Sequence, residues 1–573
     1  MAQGRVRTRA NEVGDVHAAF DGRTGFDRIP ANGVVLMRWL RKRFAFPAVL
    51  VFAGLMTTPL HAQTRSDAAR AGPYDRLIIQ GAMVIPGHGG PAYGPADIII
   101  ERGRIAQIIS YNGVTGRPAT ASPGRADRVI DATGMYVMPG LIDLHTHVRT
   151  DPLPLQYVYD LKLAHGVTTM VNGADRGWAS ALEQKRLSDQ NRITAPRMFP
   201  IGDWGPLGSR DPGQGPPANA LGPWTDPEQA PALARRLVAD GAHVVRVGSL
   251  AWNAELFGAV CRAVYEAGGI TTVHLPPSDI AVVNAVRAAE LGVTQIEHHY
   301  GFAESALGGA VQHFPPDYNY NDEAHRFRYA GQVWQDAPDD VLFGEVVDRL
   351  VASGVSLVPT MSAYESNRDI NRAMGLPWHE TFTHSQLIDW YVANPENHAS
   401  QHWDWTSKDE QRWADTYRKW QRLILEFQKR GGHLSYGADD PYLWNTTGIA
   451  NIRELQLMHE AGLDPLEVIR SATYNSARTL RRPDLGLVQT GYTADLAIVD
   501  GNPLENLRFM YAFGALDRVD GNIVRRGGVR WTIKEGVVFD NAVLIDEIIR
   551  MVEESKRNWT NPVPSLFRAM SGR

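Results

Sequence analysis

Cysteine is nearly absent from this 573-residue chain, which contains only Cys261. A lone thiol cannot form an internal disulfide, so the sequence excludes the disulfide framework on which many small secreted domains depend. Cys261 falls in the helix-like segment 256–269. We expect it to pack in the core as a small apolar side chain.

An excess of basic residues is also missing. The chain has 58 Lys and Arg against 63 Asp and Glu, for a formal net charge of −5. Without a basic patch, nucleic acid is not an expected partner, and a small-molecule substrate is. Internal repeats and low-complexity tracts are absent, and hydrophobic residues make up 44% of the chain, a composition typical of one globular enzyme.

The front of the chain resembles a secretory signal peptide that begins at Met37. Basic residues precede an apolar run of about a dozen residues, which is too short for an ordinary membrane span. These basic residues are Arg38, Arg41, Lys42 and Arg43. The end of the segment, at Ala62, resembles a cleavage site. We expect an upstream extension from a mis-assigned start at 1–36, a signal peptide at 37–62, and export to the periplasm or outside the cell without a stable membrane span. An uncleaved anchor at 44–56 is the alternative.

The most informative stretch is VMPGLIDLHTHV at 137–148, which places His145 and His147 two residues apart at the end of an apolar run. Residues two apart share a face of a strand. Both rings can therefore turn their nitrogens onto one divalent cation, and neutral imidazole is the commonest metal ligand. As ordinary strand-end residues, the two rings would need other partners for four nitrogens. The pattern therefore predicts a metal site.

Within that stretch, PGLIDLHTH at 139–147 resembles the first metal motif of the amidohydrolase superfamily, whose members are metal-dependent hydrolases. The resemblance implies an α/β fold, a (β/α)8 barrel of the TIM type, with catalytic residues at the carboxyl ends of parallel strands. Apolar runs that match the eight strands lie at 137–148, 165–175, 195–202, 241–250, 268–275, 292–299, 354–362 and 432–440.

Short alternating strands flank the barrel on both sides, and they resemble the small β-sandwich that this family builds from both ends of the chain. The resemblance covers residues 75–540. The expected division is a linker at 63–74, a β-sandwich domain at 75–138 and 487–540, the barrel at 139–486, and a C-terminal helix and tail at 541–573.

The resemblance also implies the residues of the site. The expected metal ligands are His145, His147, His274 and Asp439. Asp439 is expected to accept the proton of the attacking water as well, and His298 to orient that water. His299 faces the opposite way on the same strand, so we expect it to pack behind the barrel. Asp440 is the expected cap of the following helix.

Arg246 departs from the family pattern. At this position, members with two metals have a lysine whose amine becomes a bridging carbamate, and a guanidinium cannot form that bridge. We therefore expect one divalent metal ion per chain, zinc. The alternative is a binuclear site bridged only by water or hydroxide. Arg246 is expected either to bind a substrate carboxylate or to form a structural salt bridge.

Long insertions follow three strands, at 205–223, 301–327 and 364–429. The last carries a group of tryptophans that either line a pocket or hold a helical lid together, and helical spacing favours the lid for most of them. They are Trp378, Trp390, Trp403, Trp405, Trp413 and Trp420.

The predicted function is metal-dependent hydrolysis of a carbon–nitrogen bond of the amide type by activated water. N-acyl amino acids, dipeptides and cyclic amides are the expected substrates. Deamination of an aminoheterocycle is one alternative, and a catalytically silent secreted binding protein on the same barrel is another. The sequence leaves open whether the chain forms a homo-oligomer.

Overall fold

The computed structural model describes residues 65–112, 116, 123–148, 153–172, 177–203, 227–275, 279–308, 316, 318–319, 323–392, 394, 400, 402 and 404–563. Several features predicted above lie outside these residues: the upstream extension and signal peptide at 1–62, the insertion at 205–223, Trp403, and the end of the C-terminal tail.

The first strands build most of one sheet. They are β1 (Arg70–Ala71), β2 (Arg76–Val84), β3 (Tyr93–Glu101), β4 (Arg104–Ser110), β5 (Arg128–Asp131) and β6 (Tyr136–Pro139). β2, β3 and β4 form an antiparallel meander rich in isoleucine, a residue that suits a half-buried pleated surface. Residues 65–71, expected to be a linker, instead form a 3₁₀ turn (Arg65–Ala69) and β1. Burial of Ser66 and Ala69 holds that turn in place.

The next strands form a parallel sheet in simple chain order. They are β7 (Leu141–Thr146), β8 (Val167–Asn172), β9 (Arg197–Asp203), β10 (Val244–Arg246), β11 (Ile270–Val273), β12 (Gln295–Glu297), β13 (Ser356–Val358) and β14 (His433–Leu434). Each strand lies within one of the eight runs predicted from the sequence, apart from the last residue of β9. The observed strands are shorter because their carboxyl ends turn out of the ladder to carry the site.

Three hydrogen bonds close this sheet into a barrel. The amide of Leu144 donates to the carbonyl of Tyr436 (2.9 Å), the amide of Asp439 to the carbonyl of His145 (2.8 Å), and the amide of His147 to that of Asp440 (2.9 Å). The last strand run thus lies beside the first. As a result, the histidines at 145 and 147 and the aspartate at 439, which are far apart in the sequence, become neighbours.

Helices alternate with the strands. They are α1 (Leu155–Ala164), α2 (Trp178–Asp189), α3 (Ala230–Ala239), α4 (Ala254–Glu266), α5 (Ala285–Glu290), α6 (Phe302–Ala306), α7 (Glu323–Asp336), α8 (Asp339–Val341), α9 (Val347–Ser353), α10 (Ile370–Met374), α11 (Trp378–Thr381), α12 (Ser385–Tyr391), α13 (Ser407–Lys429), α14 (Ile449–Glu460), α15 (Pro465–Arg470) and α16 (Ser476–Thr479). Cys261 is buried in α4, as predicted. Trp413 and Trp420 are buried on α13, as their helical spacing predicted.

The chain then returns to the first sheet. The remaining elements are β15 (Leu496–Asp500), β16 (Ala515–Val519), β17 (Asn522–Arg526), β18 (Gly528–Lys534), β19 (Val537–Asp540) and α17 (Asn541–Lys556). β15 pairs with β6 and β18, and β19 pairs with β1, so both ends of the chain share one sheet. This confirms the predicted barrel with an attached domain of β-strands. In the part of the chain that is described, no helix has the length and apolar character needed to cross a membrane.

Candidate metal centre at the barrel mouth

The site begins with an irregularity in β7. The ladder with β8 shifts register between Asp143 and Thr146, which marks a β-bulge. The carboxylate of Asp143 accepts the amide of His145 (3.1 Å) and the amide of Ala438 (3.2 Å). The side chain thus replaces ladder partners and directs His145 toward the barrel mouth.

Histidine rings line up across the mouth. Centroid distances are 5.3 Å from His147 to His145, 4.9 Å from His145 to His298, and 4.7 Å from His298 to His274. Asp439 lies against this row. Its Oδ1 is 3.1 Å from Nε2 of His145 and 3.2 Å from Nε2 of His147, and its Oδ2 is 3.7 Å from Nδ1 of His298.

One group within this row has metal-binding geometry. His145, His298 and Asp439 each offer one ligand atom, and the three atoms lie within 4.8 Å of one another. His147 reaches the group through Asp439, while His274 lies on the far side of His298. The structure therefore gathers the predicted residues in one place, but the tightest trio includes His298, the predicted water-orienting residue.

Glu297 fixes the orientation of His145. Its Oε1 lies 2.7 Å from Nδ1 of His145, and both side chains are buried. Its carboxylate also accepts a short hydrogen bond from the hydroxyl of Thr272. With Nδ1 held by Glu297, Nε2 of His145 faces Asp439. A carboxylate behind a ligating histidine commonly orients the ring and raises its basicity.

The two carboxylates control the charge of His145. Burial opposes protonation of the ring, but Glu297 and Asp439 outweigh burial and raise the pKa of His145 to about 10. Burial would raise the pKa of Asp439, yet its neighbours His145 and His147 hold that pKa well below its usual range. In the absence of a cation the pair is therefore ionic, and a cation would displace the ring proton.

His298 is held in the neutral form. Burial lowers its pKa well below the ordinary value. Its Nδ1 lies 2.7 Å from the hydroxyl of Thr360, which in turn donates to the carbonyl of Pro359 (2.6 Å). Because that hydroxyl proton is already used, Thr360 accepts from Nδ1, and Nε2 of His298 keeps its lone pair.

The backbone is left-handed at three residues of this mouth. The φ angles are 65° at His298, 54° at Thr360 and 51° at Asp439. Residues other than glycine pay a steric cost there, and such strain clusters at functional sites. The strain turns these side chains out of the barrel ladder and toward one another.

Two arginines lower the pKa of His274, at the rim of the barrel mouth. Burial lowers the pKa of His274 to about 4, and the charges of Arg326 on α7 and Arg246 push in the same direction. Arg246 ends β10 in register with Thr272, the residue whose hydroxyl binds Glu297, so the two share a face inside the barrel. Arg246 therefore lies within the site.

Tyrosines form one wall of the site. The ring of Tyr300 is 4.7 Å from that of His274, and Tyr364 is 5.5 Å from His298. Burial raises the pKa of Tyr364, with further contributions from Tyr300 and Asp439. His299 packs outside this wall against Tyr364, as predicted, and burial lowers its pKa to about 3.

A buried ion network lies beneath the cluster. Nζ of Lys162, on α1, is 2.7 Å from Oδ2 of Asp143, 2.5 Å from Oδ1 of Asp440 and 2.9 Å from Oδ1 of Asn451. All four residues are inaccessible to solvent. Asp440 was expected to cap the following helix, but it belongs to this network instead. Gly448 is the residue that caps α14, and its amide donates to Asp440. The network joins the first and last barrel strands directly under His145.

Sequence reasoning missed Glu297, Thr360 and Lys162. Glu297 could have been recognised from the sequence, because a carboxylate inside the apolar run at 292–299 needs a buried partner. No sequence pattern identifies the partners of Lys162, because Asp440 lies 278 residues further along the chain.

The residues present fit a divalent cation. Two histidines and a carboxylate converge, one ring is neutral with a free lone pair, and the other is backed by a buried carboxylate. Nitrogen and oxygen ligands of this kind suit zinc, with room for a water in a catalytic site.

Parts of the chain are similar in sequence to known proteins. The amidohydrolase family model matches residues 336–524. A 5-methylthioadenosine/S-adenosylhomocysteine deaminase of Desulforudis audaxviator (strain MP104C) is 39% identical over 116 residues, 19% of this chain and 24% of that protein. An N-acyl-D-aspartate deacylase of Alcaligenes xylosoxydans xylosoxydans is 38% identical over 103 residues, 17% of each chain. The chain spans less than a quarter of the length of these relatives.

The fold itself extends further than the sequence matches. A solved bottromycin amidohydrolase superposes with a TM-score of 0.57 over 88% of this chain and 97% of its own, at 16% identity. Fold and site define a TIM-type barrel with a candidate metal centre at its carboxyl end. The chain is therefore similar to amidohydrolases in the sequence of residues 336–524 and in its fold.

Proposed function

We propose that this chain is a metal-dependent hydrolase that cleaves a carbon–nitrogen bond of the amide type with water. The observation that carries the proposal is the convergence of His145, His298 and Asp439 within 4.8 Å at the mouth of the barrel. The names of the relatives, a deaminase and a deacylase, support a carbon–nitrogen bond as the point of attack.

We further propose one divalent cation per chain, zinc, bound by members of the histidine row and Asp439. When bound, it would act as a Lewis acid that lowers the pKa of water toward about 7 and polarises the substrate carbonyl. Arg246 supports a single cation, because its guanidinium forms no bridging carbamate and repels a second positive charge. Elemental analysis of the desalted protein should give one metal per chain, and two tightly held metals would contradict this count.

Asp439 would move the proton. Its carboxylate lies beside the histidines of the row, where it can accept the proton of the attacking water. It would then return that proton to the leaving nitrogen, which is otherwise a very poor leaving group. The neutral ring of His298 would orient the water. The reaction consumes one water and yields an acid and an amine.

The rim suits a substrate that carries a carboxylate. Arg246 and Arg326 both bring positive charge to His274, and guanidinium forks bind carboxylates with two hydrogen bonds. Tyr300 offers an aromatic face beside them. N-acyl amino acids and dipeptides fit this description better than uncharged cyclic amides.

A second candidate is deamination of an aminoheterocycle. The deaminase relative favours it, and the same proton transfer by Asp439 would serve it. Only the leaving group differs, because deamination releases ammonia while amide hydrolysis of these substrates releases an amino acid or another amine.

A hydrolysis screen tests the proposal. The metal-loaded protein is incubated with N-acyl amino acids, dipeptides, cyclic amides and aminoheterocycles, with amine and ammonia measured separately. We expect amine release that is lost in Asp439→Asn and retained in Asp415→Asn, an exposed position on α13. No turnover in any class would leave the silent binding protein as the better reading.

We also propose that the protein is exported through the segment that starts at Met37. The basic residues followed by a short apolar run support this. Protein from the exported fraction should begin at or near Gln63, and an intact mass that includes residues 1–36 would contradict the assignment.

A further inference from the structure

A second cavity lies away from the metal cluster. It has a volume of about 300 Å³ and is bounded by the 3₁₀ segment Met361–Arg368, α10, α11, the middle of α14 and the stretch 508–516. That volume is at the lower end of the range for small-molecule sites, about 300–1,000 Å³. None of the histidines of the row nor Asp439 lines it.

The charges at this cavity are unbalanced. Five arginines and two acidic residues line it. Two of the arginines, Arg368 and Arg453, are neutralised by Glu365, with N–O distances of 3.0 and 2.5 Å, together with Glu460, at 2.7 and 3.6 Å. Within the described residues, Arg372 and Arg508 form no ion pair, and Arg525 donates only to the carbonyl of Gly514 (3.4 Å). Three positive charges therefore face one remaining acid, Asp369.

Two residues that line this cavity also carry a buried polar atom without a hydrogen-bond partner among the described residues. Ser366 is 2% exposed, and its hydroxyl finds no hydrogen-bond partner among the described residues. The same holds for the indole nitrogen of Trp378. Buried polar groups are almost always satisfied. Two unsatisfied donors beside unpaired arginines indicate a place for an acceptor that comes from outside the chain.

Part of the cavity wall is aromatic. Trp378 lies 6.1 Å from Tyr511, which stacks on Phe513 at 5.0 Å, and Arg525 lies 5.0 Å over the ring of Phe513. This wall would be left uncovered by a bare inorganic anion. An aromatic ring attached to the anion would cover it.

We propose that this cavity is a second binding site, distinct from the metal centre, for a small organic carboxylate that bears an aromatic group. Arg372, Arg508 and Arg525 bind the carboxylate, Ser366 and Trp378 donate to it, and the aromatic wall packs against its ring. The site does not depend on the proposed hydrolysis.

The test is calorimetric titration of 3-phenylpropionate, which has no carbon–nitrogen bond to cleave, into the metal-loaded protein. We expect a saturable site that persists when the metal centre is disabled. The uncharged 3-phenylpropanamide and inorganic phosphate should each bind about ten-fold or more weakly, since one lacks the charge and the other lacks the ring. Equal binding of either probe would overturn the corresponding half of the proposal.

Substitutions test whether the probe binds in this cavity. Arg508→Gln combined with Arg525→Gln should weaken 3-phenylpropionate about ten-fold or more, while Arg530→Gln, an exposed arginine paired with Asp500, should not. Ser366→Ala should weaken binding without loss of thermal stability, since it removes an unsatisfied group.

A last variant separates the two sites. His145→Ala combined with His147→Ala should leave the binding of 3-phenylpropionate intact. Loss of binding there, or binding that persists unchanged in the double arginine variant, would place the probe at the metal centre and overturn the proposal.

Discussion

At the scale of single residues, Glu297 determines which nitrogen of His145 is available to bind a cation. The carboxylate is fully buried, lies 2.7 Å from Nδ1 of the ring and accepts from Thr272 on the neighbouring strand. A partner in this position fixes both the ring orientation and the nitrogen that remains available.

Glu297→Gln should therefore weaken cation binding while leaving the shape of the barrel intact. We expect a loss of about 10–100-fold in zinc affinity, because the amide cannot support the positive charge that builds on the ring. Competition with a chromophoric chelator measures the affinity. Glu290→Gln, at an exposed pair with Arg349, is the control, and equal affinities in both variants would refute the role of Glu297.

Substitution of Arg246 can distinguish its two predicted roles. If it binds a substrate carboxylate, Arg246→Met should raise KM by about ten-fold or more for carboxylate substrates, with a much smaller change for their amides. Arg246→Lys should recover part of the loss. If Arg246 is only a structural partner, both variants should lower thermal stability and affect both substrate series equally.

At the scale of elements, the sequence predicted the barrel well because each strand is an apolar run bounded by glycine or proline. The same patterns overestimated strand length, most clearly for β14, where two residues pair within the predicted run 432–440. The remainder of that run leaves the ladder so that Asp439 can adopt a left-handed backbone. Such turns depend on contacts with His145 and Lys162 from far away in the chain, which no local pattern contains.

Lys162 ties three of these elements together, namely β7, α1 and the turn after β14. Burial would favour its neutral form, but Asp143 and Asp440 raise its pKa above the ordinary value. Lys162→Met would leave two buried carboxylates without a counter-charge.

We therefore expect Lys162→Met to destabilise the fold by roughly 3–5 kcal/mol. The matched control is Lys185→Met, which breaks a partly exposed pair with Asp189 on α2 and should cost no more than about 1 kcal/mol. Urea unfolding followed by circular dichroism measures both. Equal costs would mean that the network adds nothing beyond a surface ion pair.

Asp160, also on α1, gives the fold a pH dependence. Burial raises its pKa to about 8, despite hydrogen bonds from Ser66 and Gln156. The folded chain thus holds a proton that the unfolded chain, with an ordinary carboxyl pKa near 4, releases. This contribution to stability is complete below about pH 4 and is lost as the pH rises toward 8.

Asp160→Asn should remove that loss. Between pH 5 and pH 8.5, the unfolding free energy of the wild type should fall by at least about 1 kcal/mol more than that of the variant. Asp189→Asn, on the surface of α2, should follow the wild type. A variant whose pH profile parallels the wild type would show that Asp160 is ionised in the folded chain.

At the scale of the whole molecule, the barrel and the strand domain are joined by ion pairs of the buried Arg197. Arg197 starts β9 and lies 3.0 Å from Asp495, before β15, and 2.8 Å from Glu535, after β18. Thr532 of β18 donates to the carbonyl of Leu163 on α1 (2.6 Å). Neither part can unfold without exposing these groups.

We therefore expect one cooperative unfolding transition for both parts, and removal of the cation should shift all of it. A ligand that binds only the folded state adds about 2.7 kcal/mol at a concentration 100 times its dissociation constant. Although the cation would contact only the barrel mouth, the strand domain should gain this stability as well. Differential scanning calorimetry with and without chelator tests this, with hydrogen exchange of β15 and β18 as the local measure. Two transitions, of which only one responds to chelator, would show that the parts unfold separately and that the Arg197 contacts do not couple them.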